Sequence, residues 1–197
     1  MLLDSVAIHG RVPAAVFNRL AILIVDGNRH MRTLVRGILR AFGARTIHEA
    51  NDGDEALKIM AETAIDLLIT EYTLERMDGL HLVHHLRTAT DSPKPHVAVI
   101  LLTGHTEKPV VVAAREVGIN EFLAKPISPE ALYARLVRMI FEPRPFLAAP
   151  HYFGPDRRRF HPNARPYRGV DRRKMAPPEM KAHPLIPKDE LLSLLES

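Results

Sequence analysis

Four polar residues each follow directly on a short, mostly aliphatic run. Asp26 follows Ala21-Ile22-Leu23-Ile24-Val25, Glu71 follows Asp66-Leu67-Leu68-Ile69-Thr70, Thr103 follows Val97-Ala98-Val99-Ile100-Leu101-Leu102, and Lys125 follows Asn120–Ala124. Two carboxylates, a hydroxyl and an ammonium suit an oxygen-rich anion or a hard cation. Cysteine is absent, which excludes thiol catalysis, disulfides and cysteine-ligated zinc or iron–sulfur sites and fits a reducing compartment. The four residues are far apart along the chain, so the elements that carry them must do the gathering.

The three stronger runs are nearly continuous rather than alternating, the pattern of strands buried on both faces of a parallel sheet. Weaker strands fit Arg45–Ala50 and Asn120–Ala124. Between them lie helical patterns. Over Arg29–Phe42, residues Met31, Leu34, Val35, Ile38, Leu39 and Phe42 make one apolar stripe, with Asn28 as its N-cap and Gly43 as its left-handed C′ residue. Further helices fit Asp54–Glu62, Leu80–Thr88, Lys108–Val117 and Pro129–Ile140, with Thr106 and Ser128 as N-caps, Pro109 and Pro129 in first turns and Gly118 closing the fourth. Five strands alternating with five helices predict an α/β doubly wound domain, whose functional residues gather beyond the carboxyl ends of the strands.

The whole chain has 197 residues, enough for one domain plus extensions, with 46% apolar and 25% charged residues. No window approaches the ~18 uncharged apolar residues of a membrane span, and Met1–Asn18 lacks the pattern of a secretory signal. A cytoplasmic protein without membrane insertion is expected. Charge is uneven. Residues 143–174 carry nine Lys/Arg against two Asp/Glu, and ten of the 16 prolines lie after position 142. These shifts divide the chain into an N-terminal extension (1–19), the α/β domain (20–142), a largely irregular Pro/Arg-rich basic tail (143–180) and a short amphipathic helix (181–197).

The pieces Ile22-Leu23-Ile24-Val25-Asp26, Met77-Asp78-Gly79, Leu102-Thr103-Gly104 and Ala124-Lys125-Pro126, in this order and spacing, resemble the receiver domain of bacterial two-component response regulators over about Leu20–Phe141. The resemblance implies a flavodoxin-like (βα)5 fold with a 2-1-3-4-5 sheet. It also implies a phosphoryl-accepting aspartate at the end of the third strand and an acidic pair that holds Mg²⁺ after the first. A Ser/Thr and a Lys would contact the phosphoryl oxygens.

Carried over residue by residue, the resemblance puts Glu71 at the phosphoacceptor position and Thr103 and Lys125 at the phosphoryl-contact positions. Thr103 and Phe122 fall at the switch positions, and Pro126 follows a bond that is usually cis in the family. Asp26 keeps the first acid of the metal pair, but Gly27 stands at the second. Losing a carboxylate ligand weakens a Mg²⁺ site, so the expected cofactor is none or weakly bound Mg²⁺. Glu71 places its charge about one C–C bond further than aspartate, and displacements of ~1 Å can cost ~100-fold in transfer rate. A degenerate receiver is expected, with Glu71 reaching Lys125 much as a phosphorylated aspartate would.

Apart from these site residues, His81, His84 and His85 share one helix face at i, i+3 and i+4, without the further ligands of a metal motif, and read as solvated. Arg29, Arg32, Arg36 and Arg40 form a polar stripe that spacing alone leaves open between solvent and a partner. The tail holds a repeat. Tyr152-Phe153-Gly154-Pro155-Asp156-Arg157-Arg158-Arg159 recurs as Tyr167-Arg168-Gly169-Val170-Asp171-Arg172-Arg173-Lys174. Gly-Pro-Asp favours a turn that sets arginines beside an aromatic ring, and such units suit phosphate or acidic protein surfaces. Tyr152, Arg157, Arg158, Arg159, Tyr167, Arg172, Arg173 and Lys174 are the expected tail-binding set. Pro187–Leu195 reads as an amphipathic helix that docks, on its own domain or on a partner.

No DNA-binding helix-turn-helix pattern follows the α/β unit. The expectation is a non-enzymatic phosphorelay signalling protein acting through a protein partner: a histidine kinase, a phosphotransferase or a downstream regulator. The alternatives are a nucleic-acid-associated regulator whose tail grips phosphate backbone, and a working phosphoacceptor. Steep salt dependence marks the nucleic-acid case. Oligomeric state is left open.

Overall fold

The computed structural model describes residues 12–105, 107–149, 152–157 and 179–196. Its elements in chain order are α1 (Ala14–Asn18), β1 (Ala21–Val25), α2 (Arg29–Phe42), β2 (Thr46–Ala50), α3 (Gly53–Glu62), β3 (Leu67–Glu71), α4 (Gly79–Thr88), β4 (Ala98–Thr103), α5 (Lys108–Glu116), β5 (Glu121–Ala124), α6 (Pro129–Phe141), β6 (Pro145–Ala149), β7 (Tyr152–Pro155), β8 (Glu179–Ala182) and α7 (Lys188–Glu196). Strands β1 to β5 form a parallel sheet in the order β2-β1-β3-β4-β5. This is the flavodoxin-like topology that the resemblance implies.

The continuous aliphatic runs behave as two interleaved sets, because successive strand side chains point to opposite faces. Ile22, Ile24, Leu67, Ile69, Ile100 and Leu102 enter the core under α2 and α6. Leu23, Val25, Leu68, Val99 and Leu101 enter the core under α3, α4 and α5. Register is set accordingly: Ile22 lies between Ile47 and Leu67, and Leu67 lies beside Ala98.

Local signals work as expected at most helix ends. The Asn28 side chain accepts the His30 and Met31 amides at 2.9 and 3.3 Å, and Gly43 ends α2 at φ 109°. The Ser128 hydroxyl caps α6 by accepting the Ala131 amide. At α5 the N-cap is Glu107, with no side-chain cap bond, and Thr106 lies outside the described residues.

Strands β6, β7 and β8 form a second, antiparallel sheet in the order β7-β6-β8, in a region whose sequence reads as irregular. The first repeat unit belongs to it. Gly154-Pro155 continues strand β7 instead of turning, but the aromatic–arginine pairing expected of the unit does form. Arg157 lies over the Tyr152 ring at 4.0 Å and pairs with Glu116 of α5 at 2.8 Å. Gly154 faces Gly118 closely: a Cβ on Gly118 would come within 2.9 Å of the Phe153 carbonyl oxygen. The Tyr152 hydroxyl donates to the Pro155 carbonyl at 2.6 Å, and burial pushes its pKa up against the opposing pull of Arg157.

Arg87, at the end of α4, joins this small sheet to the amino ends of β4 and β5. Its guanidinium is buried and donates to the carbonyls of Pro95, Val97 and Gly118 while standing 5.1 Å from the Phe146 ring of β6. Burial among neutral acceptors pushes its pKa down to about 10. Arg144 adds bonds to the carbonyls of Asn120 and Asp156.

The C-terminal helix docks on its own domain. Leu191 and Ile186 are buried with Val16 and Phe17 of α1 and Leu136, Met139 and Ile140 of α6, and Arg19 pairs with Glu190. The amino end of the parallel sheet is thereby covered by both chain extensions.

Candidate functional site

At the opposite, carboxyl end of the sheet, three strand ends bring Asp26, Glu71 and Lys125 together. Asp26 follows β1 and is 3% exposed; Glu71 closes β3 and is 7% exposed. Lys125 follows β5, and its ammonium bridges the two carboxylates. Nζ donates to Asp26 Oδ2 at 3.2 Å and to Glu71 Oε2 in a close pair. The remaining carboxylate oxygens are also engaged. Glu71 Oε1 accepts the backbone amides of Tyr72 and Thr73 at 2.8 and 3.3 Å, and Asp26 Oδ1 accepts the Asn28 amide at 2.8 Å. Two buried anions are thus met by one cation and three amides, which is the compensation buried charge requires.

The local sequence explains this placement. Gly79 opens α4 directly behind Glu71: a Cβ there would fall 2.1 Å from the Glu71 carbonyl oxygen, so only glycine permits the approach. The Gly79 amide donates to the Tyr72 carbonyl at 2.8 Å, and Asp78 caps α4 through the His81 amide. The motif Met77-Asp78-Gly79 therefore fixes the loop that follows Glu71. On the other side, Arg32 donates to the Asp26 carbonyl at 2.6 Å and to Glu49 at 3.1 Å, holding the turn after β1. Arg32 and Arg36 of the basic stripe both pair with Glu49, so half of that stripe is bound within the domain.

Thr103 closes β4 fully buried, and its hydroxyl oxygen accepts the His105 amide at 2.9 Å rather than meeting Glu71. Its carbonyl accepts the Lys125 amide at 2.8 Å, which joins the ends of β4 and β5. Phe122 is half-buried in β5 against the core under α3 to α5, opposite Leu101. The peptide bond Lys125–Pro126 is cis. The ring of Tyr72, directly after Glu71, and that of His105, two residues after Thr103, meet edge to face at 5.4 Å; the sequence pattern carried no signal for that contact.

The donor set can be tested for a divalent cation. Its two carboxylates are already shared with Lys125, and the third acid position is Gly27. A Cβ on Gly27 would find only the Asn51 carbonyl oxygen, at 3.7 Å, so the position has room for a side chain that the sequence does not supply. Mg²⁺ favours six oxygens, commonly with carboxylates free to bind it. The residues present fit such an ion poorly.

The other candidates are placed apart from this cluster. His81 is exposed and pairs with Asp78 at 3.0 Å, and His84 accepts Thr88 through its carbonyl. Among the described residues no group of three or more His, Asp or Glu side chains could hold a metal ion. Of the expected tail-binding set, Tyr152 and Arg157 are engaged on α5 and β7. Arg158, Arg159, Tyr167, Arg172, Arg173 and Lys174 lie outside the described residues. No helix among the described residues is long and apolar enough to cross a membrane.

Comparison with known proteins agrees with the fold. The family model for the response regulator receiver domain matches residues 22–137. Chemotaxis protein CheY-3 of Vibrio cholerae is 30% identical over 129 residues, covering 65% of this chain and 97% of the relative. Chemotaxis protein CheY1 of Helicobacter pylori is 32% identical over 116 residues, covering 58% and 92%. Among solved structures, Vibrio cholerae CheY4 superposes with a TM-score of 0.55 at 28% identity, covering 59% of this chain and 95% of that one. The receiver domain of a Pseudomonas aeruginosa sensor histidine kinase, solved with magnesium in its active-site cleft, shares the fold at 24% identity and a TM-score of 0.54, covering 62% and 97%.

Proposed function

The chain belongs to the response regulator receiver family of two-component signalling, and we propose that within it this protein is a degenerate receiver. On this reading it signals through protein contacts rather than by accepting a phosphoryl group, and it is not an enzyme. One observation carries the proposal: the Lys125 ammonium bridges Glu71 and Asp26 while the backbone amides of Tyr72 and Thr73 hold the other Glu71 oxygen. In-line transfer needs an acceptor oxygen aimed at the incoming phosphorus and a metal to gather its oxygens. Here the Glu71 oxygens are committed, and the position for a second metal acid is Gly27. If Mg²⁺ binds, Asp26 and Glu71 would hold it, and the ion would supply charge neutralisation that Lys125 already provides; the expected binding is weak. Glu71 reaching Lys125 keeps a negative charge where a phosphorylated aspartate would place one, so the domain holds one signalling state.

The tail serves the same cytoplasmic protein in two ways. The first repeat unit is a strut against α5. The second, Tyr167 to Lys174, is the copy we assign to an acidic protein surface, such as a kinase, a phosphotransferase or a downstream regulator. Nucleic acid is the alternative occupant of that basic segment.

Incubation with acetyl phosphate and Mg²⁺, followed by intact-mass measurement, is expected to show no added phosphoryl group. Glu71→Gln is expected to move the amide shifts around Thr103 and Phe122. Stoichiometric labelling at Glu71 would overturn the proposal, and an unmoved spectrum in Glu71→Gln would reduce Glu71 to a silent position.

A further inference from the structure

The cover at the amino end of the sheet contains a second cluster of titratable groups that takes no part in the carboxylate site. His96 lies just before β4, and His183 lies just after β8. Their ring centroids are 3.9 Å apart. Phe146 of β6 and Phe153 of β7 close on His96 at 5.2 and 5.0 Å, and Phe146 meets His183 edge-on at 6.0 Å. The two imidazoles therefore meet where the C-terminal segment, 87 residues further along the chain, touches the parallel-sheet domain.

We infer that the His96–His183 stack is a proton-sensitive latch, which holds the C-terminal segment from His183 through α7 on the amino end of the receiver sheet at neutral pH and loosens it on acidification. Neutral imidazoles stack as ordinary aromatic rings. Protonation changes this in two ways. His96 Nε2 is buried with no hydrogen-bond partner among the described residues, so a proton added there would be a buried donor without an acceptor. The charges that face the ring are also of one sign. Arg87 of α4 and His183 both oppose a positive charge on the ring, and Tyr152 of β7 interacts with Arg87 and Arg144. Phe146 and Phe153, whose rings also meet His96, supply no counter-charge.

Burial, His183 and Arg87 all push the His96 pKa down from its ordinary value. A lowered folded-state pKa means that the latch contributes fully above the unfolded value of ~6.5 and is lost as pH falls from there through the lowered one. The latch is independent of whether Glu71 accepts a phosphoryl group.

Amide hydrogen exchange of the full chain, compared at pH 7.5 and 5.5 after correction for intrinsic exchange, tests the inference. Amides of Leu185 to Glu196 are expected to lose protection at the lower pH. Amides of β1 to β5 are expected to keep theirs. His96→Phe, which keeps a ring among the phenylalanines, should remove the pH dependence. Should His96→Phe lose protection throughout β1 to β5, His96→Leu, which is smaller and does not titrate, carries the same expectation. Glu190→Gln, which removes the carboxylate that pairs with Arg19, should leave the pH dependence in place. Unchanged protection in the natural chain, or an equal loss in the His96 variants, overturns the latch.

Discussion

The two ends of the parallel sheet hold a cation in opposite ways. At the carboxyl end, Lys125 meets two carboxylates, and each charge is answered by another. At the amino end, Arg87 has three backbone carbonyls and a phenyl ring, acceptors that carry dipoles but no net charge, and its pKa is pushed down to about 10. The first arrangement stores an electrostatic state that chemistry or mutation can change. The second is a fastener, since a guanidinium offers a rigid fork of donors that ties several chain segments together. The candidate site lies at one end and attachment of the extensions at the other.

The largest effect is expected from breaking the fastener. Arg87→Met leaves the carbonyls of Pro95, Val97 and Gly118 without their donor and should cost on the order of 4 kcal/mol, read as a lower denaturation midpoint. Arg87→Lys should recover only part of this, because an ammonium cannot span the same acceptors.

Breaking the other end should cost less and depend on pH. Lys125→Met leaves Asp26 and Glu71 buried without their cation, and about 3 kcal/mol is expected at pH 7. Taking up a proton relieves the carboxylate that has lost its partner, so the cost should shrink as pH falls. Equilibrium unfolding at pH 7 and pH 5 gives the comparison; a pH-independent difference would show that the Lys125 charge is not what matters.

Gly27→Asp sharpens the contrast by adding a carboxylate where space is available. Mg²⁺ affinity, followed by calorimetry or amide shifts, should rise at least about tenfold over the weak binding of the natural chain, since a third carboxylate would join a site that has two. Micromolar Mg²⁺ binding by the natural chain would contradict the assignment of Asp26 and Glu71 to Lys125.

The smallest effect is at the repeat unit. Arg157→Ala removes a pair with Glu116 that is partly exposed, together with a cation–aromatic contact at 4.0 Å. The loss should stay below about 1 kcal/mol in denaturation.

These differences follow how far each feature was legible along the chain. The five parallel strands were visible as aliphatic runs, since a strand buried on both faces needs apolar residues at every position. Asn28, Gly43 and Ser128 announced helix ends because a cap acts within a few residues of its own position. The four strand-end residues were visible for the same local reason, and three of them do converge, with Thr103 turned instead to the His105 amide. The short strand Pro145–Ala149 gave no comparable signal, because its stability comes from partners at 152–155 and 179–182 and from Arg87 beneath Phe146. Arg87 itself reads as a basic residue in a last helical turn, a position that favours cations on any exposed helix.

The sequence by itself determined the parallel sheet, its flanking helices and the end at which polar groups collect, because periodicity and caps are short-range properties. It also put Gly27, which has no side chain in any fold, at the position where the family resemblance implies a second metal acid. Tertiary structure alone decided that Lys125 is shared between Asp26 and Glu71, that Arg157 of the first repeat unit packs on Tyr152 and Glu116, and that both extensions meet over the amino end of the sheet. Each of these pairs groups distant in the chain, and such pairing depends on which buried charges and unpaired strands are left after the local elements have formed.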